Sequence, residues 1–253
     1  MKITVLTLFP EMVEPFFKAS IMARAVEKGL VEYRIINFRD FAEGVHLKAD
    51  DIPYGGGAGM VIMPEPLSKA LDSVSARDKR VVFPTPSGKV FTEEYARELS
   101  RESELVFICG HYEGIDQRII DEYVDDEISI GDYVLSSGET STIVIIDALF
   151  RLIEGVIAKE SLDDESFNSN FLEYPQYTRP QRYCSKEVPD VLLTGHHQRI
   201  VDWRDRKRLE KTMLNRSDLL SSASLSMKER KRLLEILGSK DKGNNLLWML
   251  SEL

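Results

Sequence analysis

The sequence predicts an α/β protein in which helices cover a parallel sheet and a small helical C-terminal domain follows. Apolar runs rich in β-branched residues alternate with segments of helical period through the first two-thirds of the 253 residues, the pattern of a parallel sheet with covering helices. After residue 157 the alternation stops, and beyond residue 187 three segments of helical period follow one another. These observations indicate a sheet domain and a helical one.

Strands are predicted at the apolar runs, residues 2–8, 31–38, 80–83, 105–109 and 127–130. Helices are predicted at residues 11–28, 65–73, 92–100, 117–123 and 139–157, and in the last third at residues 188–193, 198–214 and 228–237. Thr92 followed by Glu93 and Glu94 is typical of a capped helix start, because a Thr side chain accepts from free backbone N–H groups and acids favour the first turn.

Composition excludes several classes of protein. Hydrophobic residues make up 43% and charged residues 30% of the chain, and no stretch approaches the roughly 18 consecutive apolar residues of a membrane helix. Lys2 precedes an apolar run, but Glu11 and Glu14 follow at once and no small-residue cleavage site appears. Residues 2–8 are therefore interpreted as a buried strand and not as a signal peptide. A cytoplasmic protein without membrane association is expected.

Potential metal ligands are scattered along the sequence. Cys109 and Cys184 lie far apart without a CxxC pair, which argues against a disulfide framework or a zinc site. His46 is a lone histidine, a type more often structural than catalytic. His196 and His197 have no third ligand at metal spacing. The residues predict no metal site.

Charge is distributed unevenly. The net charge of −9 argues against an unspecific nucleic-acid binder, since neutralising phosphates takes clustered Lys and Arg side chains. The segment 199–216 is nevertheless basic, with seven Lys or Arg residues against Asp202, Asp205 and Glu210. Taken alone, such a segment is more typical of a solvated helix face laced with ion pairs.

Four glycine-containing segments are the most informative part of the sequence: residues 53–60 (PYGGGAGM), 85–89 (TPSGK), 108–116 (ICGHYEGID) and 129–139 (SIGDYVLSSGE). Glycines at the carboxyl ends of parallel strands let a ligand approach the backbone, so three such loops are predicted to form one pocket. Phe9 and Pro10 follow the first strand, where a dinucleotide-binding fold has a glycine-rich turn, and there is no GxxxxGK[ST] loop. A nucleotide-like ligand is therefore expected to be held in an unusual way.

Motifs in a fixed order carry a family resemblance. LTLFPEM, PYGGGAGM, CGHYEGID, SIGDYVL, ESF, YPQYTRP and VPDVLLTGHH span almost the whole chain and together resemble the bacterial tRNA (guanine-N1)-methyltransferase family. The resemblance implies a trefoil-knotted enzyme of the SPOUT class that moves a methyl group from S-adenosylmethionine to N1 of tRNA guanosine 37, 3′ of the anticodon, which helps maintain the reading frame. It also implies a homodimer in which one subunit's knot and the other's C-terminal domain complete each site.

The resemblance further implies the domain organisation. Residues 1–160 would form the knotted S-adenosylmethionine-binding domain, residues 161–172 a flexible linker and residues 173–253 a helical tRNA-binding domain. The cofactor would be held mainly by backbone groups, with the Glu113 carboxylate near its cationic groups. The positions that match the family's cofactor contacts are Phe83, Pro84, Thr85, Pro86, Gly110, Glu113, Gly114, Ile130, Gly131, Tyr133, Leu135, Ser137 and Gly138.

Two catalytic groups are implied by the same resemblance. The family uses an Asp before a Ser-Phe pair to take the N1 proton of guanine, and an Arg from the helix after the knot to stabilise charge developing at O6. Here those positions are Glu165 and Arg151. Asp164 adjoins Glu165 and is the alternative proton acceptor, while the pair at residues 166–167 favours the register with Glu165.

Contacts with tRNA are implied at further positions, and the basic segment 199–216 becomes a candidate face for tRNA phosphates. Mg²⁺ helps members of the family, but no feature of the sequence specifies its ligands. The implied substrate positions are Asp50, Gly57, Gly59, Tyr112, Asp116, His196 and Arg204.

Five positions depart from the family pattern, among them Leu47 and Ile52, which stand where basic residues are common. His111 stands where an Arg is usual, Ser137 where the first glycine of Gly-Gly-Glu is usual, and Glu165 where an Asp is usual. If position 137 needs a positive φ, its serine is expected to cost about 1 kcal/mol. Two other functions stay open. One is a tRNA ribose 2′-O-methyltransferase with the same knot. The other is a non-catalytic knotted RNA-binding protein, in which the substitutions reflect a loss of catalytic activity.

Overall fold

The computed structural model describes residues 1–158, 165–167, 171–222 and 225–240. Contacts divide the chain into two compact units, Met1–Lys159 and Glu160–Leu253. Most of the predicted linker at residues 161–172 lies outside the described residues, and so does Asp164.

A parallel sheet forms the centre of the first unit. The strands of this unit are β1 (Lys2–Thr7), β2 (Glu32–Asn37), β3 (Asp50–Asp51), β4 (Val61–Ile62), β5 (Arg80–Val90), β6 (Glu104–Ile108) and β7 (Asp126–Ser129). Five of them form the sheet in the order β2-β1-β6-β5-β7, and every pairing is parallel. β3 and β4 form a separate antiparallel pair. The prediction of an α/β protein with a parallel sheet is confirmed.

Helices bury both faces of this sheet. They are α1 (Pro10–Phe17), α2 (Ser20–Glu27), α3 (Pro64–Ser73), α4 (Glu93–Leu99), α5 (Gln117–Tyr123) and α6 (Gly138–Leu152). Leu105 and Phe107 pack in a core with α1, α2, α4 and α6, whereas Val106 packs in a second core with α3 and α5. All three side chains are fully buried. Successive strand residues point to opposite faces, so a sheet covered on both sides requires continuous apolar strands.

Two helix predictions were wrong in their extent. The helix predicted at residues 11–28 is broken into α1 and α2, because Ser20 has a left-handed φ of 53°. The helix predicted at residues 139–157 ends at Leu152, and Gly155 with a φ of 86° carries the turn that follows. Glycine adopts such a φ without steric cost, which makes it a common stop signal after a helix.

β5 also continues beyond its predicted end at residue 83. Pro84 and Lys89 both pair with Ile128, so residues 85–88 loop out of the strand before pairing resumes. A side chain on Gly88 would overlap the backbone of Glu127 and Ile128, so only glycine allows the strand to return this closely. The loop turns residues 84–86 to the edge of the sheet.

Helices and a hairpin make up the described part of the second unit. They are β8 (Arg182–Tyr183), β9 (Lys186–Glu187), α7 (His197–Asn215), α8 (Asp218–Ser222) and α9 (Met227–Lys240). Leu209 and Met213 of α7 pack with Leu233 and Ile236 of α9. The segment predicted as a helix at residues 188–193 is a 3₁₀ turn at Asp190–Leu192. The hairpin and α8 were not predicted, because they are too short to show a period.

Candidate active site

The carboxyl ends of β5, β6 and β7 meet at one edge of the sheet, because these three strands are parallel neighbours. The segments that follow or interrupt them, with the start of α6, line a cleft of about 840 Å³ including its open mouth. The cleft brings together all the positions predicted to contact the cofactor: Phe83, Pro84, Thr85, Pro86, Gly110, Glu113, Gly114, Ile130, Gly131, Tyr133, Leu135, Ser137 and Gly138.

Two glycines hold the loop after β6 against the first turn of α6. The backbone N–H of Gly138 donates to the carbonyl of Gly110 at 2.8 Å. A Cβ on Gly138 would lie 2.5 Å from the nitrogen of Gly110, and a Cβ on Gly110 would lie 3.0 Å from the ring of Phe83. Side chains at either position would push the segments apart. Glycine therefore fixes the width of the cleft here.

Left-handed backbone shapes the rest of the wall. Gly131 has a φ of 144°, and its carbonyl accepts from the N–H of Tyr133 at 2.9 Å. Tyr112 has a φ of 58°, which is unusual for a bulky side chain. Its ring is half-exposed at the cleft. Strained or left-handed residues of this kind concentrate at binding sites.

A buried carboxylate beside the cleft was missed by sequence reasoning. Nε2 of His111 lies 2.6 Å from Oε2 of Glu139, and Oε1 of the same carboxylate accepts from the hydroxyl of Thr7. Glu139 is fully buried, and the ring of His111 packs on Phe9 with centroids 4.7 Å apart. The sequence feature that could have identified it is the acid of the SGE motif, which lies one residue inside a helix that begins at the cleft. His111 itself lines the cleft.

The cysteines of the chain are both free thiols. Cys109, at the end of β6, is fully buried, and burial together with the nearby charge of Glu139 raises the pKa of its thiol. Because the thiolate is the nucleophilic form, Cys109 is held in its unreactive state. Cys184 is exposed and lies in the second unit.

The backbone strain expected at Ser137 does not arise. Its φ is −156°, an extended conformation that any residue adopts. The cost of about 1 kcal/mol was expected only for a positive φ, and that condition is not met. The serine is therefore compatible with the backbone of this loop.

The predicted substrate positions of the first unit cluster beside the cleft. The glycine loop between β3 and β4 carries Gly57 and Gly59, both exposed, and Asp50 lies in β3. This loop is attached to the loop after β6 by backbone hydrogen bonds from Glu113 to Met60 at 3.0 Å and from Ile62 to Gly114 at 3.0 Å. The glycine loop and the cleft are thus parts of one framework.

Asp116, another of the predicted substrate positions, caps α5. Its carboxylate accepts from the backbone N–H of Arg118 at 3.0 Å and from Nε of the same residue at 2.8 Å. The guanidinium of Arg118 holds the pKa of Asp116 below its usual value. The carboxylate is thus already engaged within its own chain.

The predicted catalytic residues lie away from this cleft or in the second unit. Arg151 is in the last turn of α6, at the end opposite the cleft. Glu165 is half-buried in the second unit, where the adjacent Ser166 accepts from the backbone N–H of Glu173 at 2.9 Å. His196 occupies the N-cap position of α7 without a side-chain capping bond, and the guanidinium of Arg204 lies 4.7 Å from the centre of the Tyr174 ring.

Two features are absent from residues 1–158, 165–167, 171–222 and 225–240. No helix among these residues has the length and apolarity needed to cross a membrane. No group of three or more His, Cys, Asp or Glu side chains among them is arranged to hold a metal ion.

A glycine-lined cleft at the carboxyl edge of a parallel sheet defines the class of this protein: an α/β protein with a cleft at the edge where ligands of such sheets bind. The family described as tRNA (Guanine-1)-methyltransferase TrmD matches residues 1–222 of the chain. The chain therefore belongs to the tRNA (guanine-1)-methyltransferase family, and the resemblance read from the motifs is confirmed.

Individual relatives are similar to this chain over most of its length. The protein of Treponema denticola named tRNA (guanine-N(1)-)-methyltransferase is 63% identical over 223 residues, which are 88% of this chain and 92% of that protein. The protein of the same name from Treponema pallidum is 58% identical over 226 residues, 89% of this chain and 90% of that protein. That of Borrelia hermsii is 54% identical over 221 residues, 87% of this chain and 92% of that protein.

Proposed function

We propose that this chain transfers a methyl group from S-adenosylmethionine to N1 of a tRNA guanosine, guanosine 37 on the 3′ side of the anticodon, in the cytoplasm. The observation that carries the proposal is the meeting of all the predicted cofactor positions on one cleft, in a chain whose residues 1–222 match the family. The methyl donor supplies an electrophilic methyl group bound to sulfur. The modified base supports the reading frame during translation.

The cleft has the chemistry that S-adenosylmethionine needs. An adenine ring binds well in an apolar slot with backbone hydrogen bonds, and Phe83, Ile130 and Leu135 supply apolar surface along the wall. Gly110 and Gly131 let aromatic rings pack directly on the backbone of the wall: a Cβ on Gly110 would lie 3.0 Å from the ring of Phe83, and a Cβ on Gly131 would lie 2.6 Å from that of Tyr133. The carboxylate of Glu113 on the same wall complements the cationic groups of the ligand.

Arg151 supports a homodimer with shared sites. It lies 13 residues after Gly138 in α6, which corresponds to roughly 20 Å along a helix at ~1.5 Å per residue. At that distance Arg151 does not reach the cleft of its own chain. We propose that a second copy supplies it, so that Arg151 stabilises negative charge at guanine O6 while Glu165 takes the N1 proton.

The remaining family features belong to the same proposal. We assign a trefoil knot to residues 1–160 and tRNA binding to residues 173–253. The charge pattern of α7 supports the second assignment, because Arg232 of α9 binds Asp202 and Asp205 at 2.5 Å each. With these acids paired across the helix interface, exposed Arg199 and Arg206 are available to phosphates.

One assay tests the proposed reaction. The purified protein is incubated with labelled S-adenosylmethionine and unmodified tRNA, with and without Mg²⁺, and the methylated nucleoside is identified. N1-methylguanosine is expected, and a tRNA whose position 37 is not guanosine is the matched control. Mg²⁺ is expected to increase the rate, because a cation neutralises charge at O6 or at the phosphates.

Two outcomes of that assay favour the other functions. A 2′-O-methylnucleoside would assign the chain to ribose methylation. Retained tRNA binding without any methylated product would indicate a non-catalytic RNA-binding protein.

A further inference from the structure

Ser137 carries a buried hydroxyl at the wall of the cleft. The residue lines the cleft and is 9% exposed. Its Oγ is buried, and it has no hydrogen-bond partner among the residues that the structure describes. Because a buried hydroxyl without a partner is costly, most such groups in native proteins are paired with protein, water or ligand.

The local structure does not use this hydroxyl. Ser137 stands at the N-cap of α6, where a serine usually accepts from an N–H of the first helical turn, yet its side chain forms no capping bond. One turn further on, Oγ of Ser141 donates to the carbonyl of Gly138 at 2.9 Å. That neighbouring serine is satisfied within the helix. The hydroxyl of Ser137 therefore serves neither the helix start nor its neighbour.

We infer that Oγ of Ser137 hydrogen-bonds the nucleoside half of bound S-adenosylmethionine, an inference that rests on the proposed function. A serine hydroxyl can donate or accept, and both ribose hydroxyls and adenine nitrogens offer it a partner. The segment before Ser137 presents Leu135 to the cleft, and Phe83 faces it from β5. Beside these apolar side chains, a buried hydroxyl that has no partner among the described residues suits a heterocycle and its sugar better than a charged amino acid.

This contact depends on the side chain and not on the backbone. Glycine, the residue of the Gly-Gly-Glu pattern at this position, has no side-chain group to form it. Since φ at Ser137 is −156°, glycine or alanine can replace serine there without a change of backbone. The hydroxyl can therefore be removed cleanly.

The test compares dissociation constants of the full chain for S-adenosylmethionine and for 5′-methylthioadenosine, which keeps the nucleoside and lacks the amino acid. Ser137→Ala is expected to weaken binding of both ligands by the same factor, about five-fold, the usual effect of one neutral hydrogen bond. Ser137→Gly is expected to behave in the same way. The urea midpoint of the ligand-free protein is expected not to fall, since the hydroxyl has no partner to lose.

Ser73→Ala is the matched control. Its hydroxyl donates to the carbonyl of Ala70 at 2.7 Å on α3, outside the cleft. Both dissociation constants are expected to stay unchanged in this variant.

Three results would overturn the inference, and they separate it from the proposed function. If the unmodified chain binds both ligands tightly and Ser137→Ala binds them equally well, the inferred hydroxyl contact is wrong and the proposed function stands. If Ser137→Ala loses affinity for S-adenosylmethionine but not for 5′-methylthioadenosine, the hydroxyl does not contact the nucleoside half. If the unmodified chain binds neither ligand, the proposed function fails together with the inference.

Discussion

Nε2 of His111 lies 2.6 Å from Oε2 of the fully buried carboxylate of Glu139. The other carboxylate oxygen accepts from the hydroxyl of Thr7, so both oxygens of Glu139 are hydrogen-bonded. His111 belongs to the loop after β6 and Glu139 to the first turn of α6. The pair therefore ties two walls of the cleft together, and the hydroxyl of Thr7 anchors it to the end of β1.

Removing the imidazole is expected to destabilise the protein. His111→Ala leaves one oxygen of a buried carboxylate unpaired, so the free energy of unfolding at neutral pH is expected to fall by about 3 kcal/mol. His111→Gln keeps an N–H donor and is expected to lose less. Urea unfolding of both variants measures the difference, with exposed His46→Ala as the control. A fall no larger for His111→Ala than for His46→Ala would show that the pair contributes nothing.

Gly138→Ala is expected to disturb the cleft more than the fold. The new Cβ would lie 2.5 Å from the nitrogen and 2.9 Å from the carbonyl oxygen of Gly110, so the two segments must separate. We expect affinity for S-adenosylmethionine, measured by calorimetry, to fall at least ten-fold, which corresponds to about 1.4 kcal/mol.

The control for this variant is Gly238→Ala. Gly238 lies in α9 with open space around its Cα, so alanine there is expected to leave binding unchanged and to stabilise the helix by about 0.5–1 kcal/mol. Equal affinity of the two variants would contradict the proposed role of the contact between Gly110 and Gly138.

A shared site predicts complementation between two inactive variants. A chain carrying Gly138→Ala and a chain carrying Arg151→Ala are expected to be nearly inactive as separate homodimers. If Arg151 serves the cleft of the other copy, a mixed dimer contains one intact cleft facing one intact Arg151. Activity of the purified mixed dimer is then expected to reach up to about half that of the unmodified protein per dimer. No recovery would indicate that Arg151 acts within its own chain or that the copies do not share sites.

Acid stability is expected to depend on Asp126, which accepts from Nε of Arg80 at 2.6 Å and from the hydroxyl of Tyr95. Burial by itself raises the pKa of Asp126, but the hydrogen bonds from Arg80 and Tyr95 outweigh it and hold the pKa below its usual value. The folded protein therefore binds this proton more weakly than the unfolded chain. The resulting stabilisation is complete above the ordinary aspartate pKa of ~3.9 and is lost as the pH falls through the folded pKa.

Urea unfolding at several pH values measures the contribution of Asp126 to the free energy of unfolding. Between about pH 5 and pH 2 the free energy of unfolding is expected to fall further for the unmodified protein than for Asp126→Asn. Exposed Asp40→Asn serves as the control and should follow the unmodified protein. Parallel pH curves for all three proteins would rule out Asp126 as a source of the acid sensitivity.

The sequence predicted the walls of the cleft well, because their signals are local. Apolar runs marked β5, β6 and β7, and Gly110 and Gly131 at their ends marked the turns where a ligand approaches backbone. The position of β6 between β1 and β5 was not predicted, since strand order depends on contacts between segments far apart in sequence. The burial of Glu139 was missed for the same reason: its partners Thr7 and His111 come from two other strand ends.

Conformation at single residues was also beyond sequence reasoning. Position 137 was tied to glycine by a pattern of residue types, whereas the backbone there is extended and accepts serine. The left-handed φ of Ser20 that separates α1 from α2 is likewise invisible in a run of helical period. Such details depend on tertiary packing, which outweighs local preference.

The contrast between the two cysteines has a practical consequence. The sequence contains two cysteines. Cys109 is buried in the core and the pKa of its thiol is raised, whereas Cys184 is exposed. A maleimide dye added to the native protein will therefore attach at Cys184 without any engineering. That single label lies in the unit proposed to bind tRNA. Fluorescence anisotropy of the labelled protein, with its sequence unaltered, can therefore follow tRNA binding in real time.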